Sequence, residues 1–84
     1  MIAKKDLMTF DYKGIEIKAN KSVLESYKTT KAITRVEKDP SAFMDAIDAI
    51  FDGKDVEYIE ALGGQTSHLD GLLTKAYEAA GLKN

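Results

Sequence analysis

The chain has 84 residues, 44% of them hydrophobic and 31% charged, a net charge of −2 and no cysteine. One domain of that length buries a little over roughly 60% of its unfolded surface, so its stability is marginal and a partner or self-association would add to it. The composition excludes a disordered chain, a disulfide scaffold and a thiolate metal site. No apolar run nears the roughly 18 residues of a membrane span or forms a signal peptide's core, and the reading is a cytoplasmic domain, 1–84, with no membrane partner.

Apolar and polar residues roughly alternate from Leu7 to Tyr12 and from Ile15 to Ile17, around Lys13-Gly14. Alternation with β-branched and aromatic types predicts a hairpin over about 7–18, with Gly14 second in a two-residue turn. Ser22-Val23-Leu24-Glu25 has capping-box spacing, so a first helix is expected over about 22–37. Its apolar residues Val23, Leu24, Tyr27, Ala32, Ile33 and Val36 fall on two arcs, which a kink at Thr29-Thr30 or two buried faces would explain.

Asp39 then offers an N-cap and Pro40 the first helical position, opening a second helix over about 40–52. Phe43, Ile47, Ile50 and Phe51 share one broad face of it, with Ala46 beside them. Val56, Ile59 and Leu62 recur every third residue and predict a short helix over about 55–62, closed by Gly63-Gly64. A last helix over about 67–80 places Leu69, Leu72, Leu73, Ala76, Tyr77 and Ala80 on one face and stops at Gly81. The expected fold is therefore α+β, an N-terminal β-hairpin followed by three or four short α-helices.

Catalytic chemistry finds little to stand on. His68 is the one histidine, so neither a catalytic triad nor a histidine pair for a metal can be assembled, and it reads as an exposed polar residue. No glycine-rich phosphate loop occurs, and the carboxylates from Asp45 to Glu60 lack the spacing of a calcium loop. No enzyme activity, cofactor or metal is expected.

Charge is divided along the chain. Residues 1–38 carry nine basic and five acidic side chains, whereas residues 39–84 carry three basic and nine acidic ones. Opposite halves suit a head-to-tail homo-oligomer as well as two faces meeting inside one molecule. The stripe Lys28, Lys31, Arg35 and Lys38 suggests a second reading, a small regulatory or DNA-associated protein; the overall acidity and the absence of an interleaved aromatic platform weigh against nucleic acid. Apolar side chains crowd the two middle helices, and Phe51, Val56, Tyr58, Ile59 and Leu62 are the expected contact residues for a protein partner.

The hairpin Phe10-Asp11-Tyr12-Lys13-Gly14-Ile15-Glu16-Ile17, the helix ending Ala32-Ile33-Thr34-Arg35-Val36-Glu37-Lys38-Asp39-Pro40, and the run from Ala46-Ile47-Asp48-Ala49-Ile50-Phe51 through Gly53-Lys54-Asp55-Val56 to Gly63 follow in an order that resembles the tail assembly chaperones of long-tailed bacteriophages and prophages. The likeness spans about residues 8–82. It implies a non-enzymatic protein of the infected bacterium's cytoplasm, absent from the finished virion. Such a protein coats the tape measure protein, keeps its apolar helices soluble and helps tail tube protein subunits assemble around it.

Overall fold

The computed structural model describes residues 7–82. Two antiparallel strands, β1 (Leu7–Tyr12) and β2 (Ile15–Asn20), precede five helices among the described residues: α1 (Lys21–Glu25), α2 (Tyr27–Thr34), α3 (Pro40–Ile50), α4 (Asp55–Leu62) and α5 (His68–Ala79). The fold is α+β, as the residue pattern predicts. The helices number five because the segment expected as one helix over 22–37 is two.

At the hairpin turn both Lys13 (φ 53°) and Gly14 (φ 83°) are left-handed, the backbone of a type I′ turn whose twist matches that of the flanking strands. The register pairs Tyr12 with Ile15, Phe10 with Ile17 and Met8 with Ala19, so these six side chains share one face. Ile17 and Ala19 are buried, and Met8, Phe10, Tyr12 and Ile15 pack against the core. Thr9, Asp11, Glu16 and Lys18 take the exposed face.

Helices cover the inner face, with α5 lying on β1 and both α3 and α4 on β2. Leu24, Ile47, Ile50, Phe51, Leu69, Leu72 and Ala76 complete the core. Burial of each larger side chain among them stabilises the fold by about 1.5–3 kcal/mol. Gly71 lets α5 approach β1 closely, because a Cβ there would land on the Tyr12 hydroxyl.

The break between α1 and α2 lies at Ser26, not at Thr29-Thr30. Ser26 is extended (φ −69°, ψ 136°); its N–H donates to the Val23 carbonyl and closes α1, while its Oγ accepts the Lys28 N–H at 3.2 Å and opens α2. One short polar residue thus ends one helix and caps the next. The cap of α1 also differs from the expected Ser22 capping box: Asn20 Oδ1 accepts the Val23 N–H at 3.3 Å. Helix α2 stops at Thr34, three residues before the expected end. Asp39 and Pro40 open α3 as their types demand, with Asp39 Oδ1 accepting the Ala42 N–H at 3.2 Å.

Beyond α3, Asp52 at φ 55° turns the chain, and the Gly53 N–H reaches back to the Asp48 carbonyl at 2.9 Å. At the end of α4, Gly63 at φ 130° lets its own N–H and that of Gly64 return to the Glu60 and Ile59 carbonyls, the paired bonds of a Schellman ending. His68, expected as exposed, is half-buried with its ring against Gly63.

Candidate functional site

The five residues expected to contact a partner do not form one surface. Phe51 is 0% exposed and Tyr58 8% exposed, so both belong to the core and offer a partner nothing to touch. Their rings meet edge to face, centroids 5.9 Å apart and planes at 81°, which joins the end of α3 to α4. The Tyr58 hydroxyl also accepts the Lys18 N–H at 3.1 Å. Lys18 occupies a position of β2 whose N–H points away from β1, so Tyr58 satisfies a backbone donor on the sheet's outer edge. Ile59 packs half-buried against the core and Leu62 is half-buried. Val56 alone stands out, 65% exposed.

The concave surface lies elsewhere. A groove of about 770 Å³ runs between α2 and α3, closed at one side by α1. Val23, Ala32, Ala42, Ala46 and Ala49 supply its apolar surface. Ala42, Ala46 and Ala49 repeat at the i, i+4, i+7 interval that keeps residues on one side of a helix, and none carries a side chain long enough to fill the space beside α2. The alanines of α3 therefore leave open what its aromatic end closes.

Its walls have opposite charge. Lys28 and Lys31 on α2, with Arg35 at its C-cap, line one side; Asp45 on α3, with Asp39 at its N-cap, lines the other. Among the described residues the side chains of Lys28, Lys31, Arg35 and Asp45 make no ion pair or hydrogen bond, and Asp39 is engaged only in capping α3.

Thr29, at the groove, is the one buried polar residue among the described residues, at 4% exposed. Its hydroxyl has no hydrogen-bond partner, yet no buried side-chain oxygen or nitrogen is left unsatisfied among the described residues. The Thr29 hydroxyl therefore keeps some access to solvent, and the residue lines the groove. Ser26, which splits α1 from α2, lines the same groove, so the helix break and the cavity have one origin.

Sequence reasoning singled out the basic stripe and the acidic run separately. It missed their juxtaposition, because only the chain reversal between Arg35 and Asp39 sets the two helices side by side. The spacing of the alanines was the available signal. Among the described residues no group of three or more His, Asp or Glu could hold a metal ion, and no helix is long and apolar enough to cross a membrane. Comparison with family models, curated proteins and solved structures finds no match.

Proposed function

We propose that this chain is a tail assembly chaperone that binds the tape measure protein in the bacterial cytoplasm and keeps it soluble while tail tube protein assembles around it. Two things support the reading: the resemblance over residues 8–82, and a binding surface of the kind such a protein needs. The observation that carries it is the groove between α2 and α3, an apolar trough with charged rims, the form of site in which an amphipathic helix lays its apolar face.

The binding site moves accordingly, from the α4 residues to Val23, Thr29, Ala32, Ala42, Ala46 and Ala49. The DNA-associated alternative loses ground, because Lys28, Lys31 and Arg35 share their groove with Asp39 and Asp45, whose carboxylates repel a phosphate backbone.

Co-expression with a tape measure protein tests the proposal. Co-elution in a soluble complex on size-exclusion chromatography with light scattering is the expected result. Ala49→Arg, at an exposed position of the groove, is expected to abolish co-elution while leaving the melting temperature unchanged; Val56→Asp on α4 is expected to leave both intact. A long protein that precipitates regardless would remove the chaperone assignment. Loss of co-elution with Val56→Asp alone would return the site to α4.

A further inference from the structure

We infer that the groove accepts a single amphipathic α-helix of a partner protein and fixes its N-to-C direction; this rests on the reading above, in which the partner is a long helical protein. The lining residues span about two turns on each side, from Lys28 to the C-cap Arg35 along α2 and from Ala42 to Ala49 along α3, or about 10 Å of helix axis. An incoming helix with small or short apolar residues in its stripe packs there as a third member beside α2 and α3. Thr29 presents its unpartnered hydroxyl, 96% of the residue being out of solvent, to a small polar side chain in that stripe. On such docking the hydroxyl exchanges its bond to water for one to the partner, which rewards a polar side chain at that point of the stripe over an apolar one.

Direction follows from the walls. A helix lying with its stripe downward presents one flank to α2 and the other to α3, and turning it end for end exchanges those flanks. Lys28, Lys31 and Arg35 attract an acidic flank, whereas Asp39 and Asp45 attract a basic one. A helix with acidic residues along one flank and basic residues along the other therefore satisfies both walls in one direction and is repelled by both in the reverse. Since these charges are unpaired in the free protein, docking breaks no ion pair to form the new ones.

The α4 helix of a second copy of this chain is a poor occupant. It holds Asp55, Glu57 and Glu60 with no basic residue, so it suits the α2 wall and is repelled by the α3 wall. A partner helix with two differently charged flanks matches the groove on both sides.

The test uses two synthetic helical peptides of about 20 residues, ~30 Å long. Both have the same composition, an Ala/Leu stripe with one Thr, glutamates along one flank and lysines along the other, and the flanks are exchanged between them. Each carries a photo-crosslinker at its N-terminus. Mass spectrometry on the whole chain is expected to find one peptide linked near the Arg35–Asp39 connection and the other near Ser22 at the opposite end, each with about a tenfold preference, the size expected from a few partly screened rim pairs. In a protein with exchanged walls, Lys28→Glu, Lys31→Glu, Arg35→Glu and Asp45→Lys, all at exposed positions, the peptides are expected to trade ends. For the unaltered protein, raising the salt from about 0.05 M to about 0.5 M is expected to erase the preference.

Equal linkage of both ends, linkage outside the groove, or a concentration-dependent dimer of this chain that Ala49→Arg abolishes would each overturn the inference. The two readings fail separately. A tape measure protein held in solution while the peptides show no preferred end would sink the directionality alone. Directed peptide binding beside an insoluble tape measure protein would sink the chaperone assignment alone.

Discussion

Helix α3 meets its two neighbours in opposite ways. Toward α4 it ends in Phe51, which is fully buried and meets the Tyr58 ring edge to face, so that junction closes into core. Toward α2 it presents Ala42, Ala46 and Ala49, and the junction stays open as a groove with charged walls. The same helix makes a stable seam where its side chains are large and a receptive one where they are small. A high density of apolar residues marks where the chain holds itself together. The place it offers to another molecule is marked by small residues between charged ones.

Truncating the closed junction has the largest expected effect. Phe51→Ala is expected to cost about 3–5 kcal/mol in urea unfolding, a large share of what a domain of this size has. The change leaves a cavity under Tyr58 and frees its ring. A loss below about 1 kcal/mol would mean that the α3–α4 junction is not core, and the α4 residues would again be candidates for a partner surface.

Tyr58→Phe probes the same junction more finely. It keeps the ring and removes the acceptor for the Lys18 N–H, at an expected cost of about 1 kcal/mol. Amide hydrogen exchange at Lys18 is expected to accelerate in the variant, whereas exchange at Thr9 on the partner strand stays as it is. Unaltered exchange at Lys18 would show that the hydroxyl does not hold that edge.

The smallest effect concerns Tyr77 on α5, whose hydroxyl is pushed above its ordinary value of 10.0 by burial. As pH rises past 10.0 the unfolded chain releases this proton while the folded chain keeps it, so this residue's contribution to stability falls with pH in that window. Tyr77→Phe is expected to flatten the decline in melting temperature above that pH. An identical decline in both proteins would show that Tyr77 titrates alike folded and unfolded.

Much of the architecture was legible in the residues. Alternation with Gly14 fixes the hairpin, Asp39-Pro40 opens α3, and the apolar repeat from Leu69 to Ala80 faces the core in α5. These signals are local, and local signals suffice for elements whose caps and periods agree. The break at Ser26 was less legible, because serine serves equally well inside, before or after a helix and its own Oγ–Lys28 bond decides the matter. Two adjacent threonines looked weaker, yet both lie within the regular turns of α2.

The candidate site was barely legible. Phe51 and Tyr58 have the composition of an interface anchor, but each finds its partner in the other once the turn at Asp52 and Gly53 brings the Tyr58 ring onto Phe51. The groove depends on residues that do nothing notable in sequence, three alanines and a threonine. Their meaning comes from the reversal at Arg35–Asp39, which brings a basic helix beside an acidic one.

The bond from the Lys18 backbone to Tyr58 has a further consequence. A two-stranded ribbon has two flanks along which foreign strands can add, and proteins crowded together at high local density are the ones most exposed to that hazard. On the β2 flank, Tyr58 of α4 already takes the Lys18 N–H, one of the outward-pointing donors. Copies held close together would thus meet with that donor already taken, one position fewer at which a foreign strand can begin to pair.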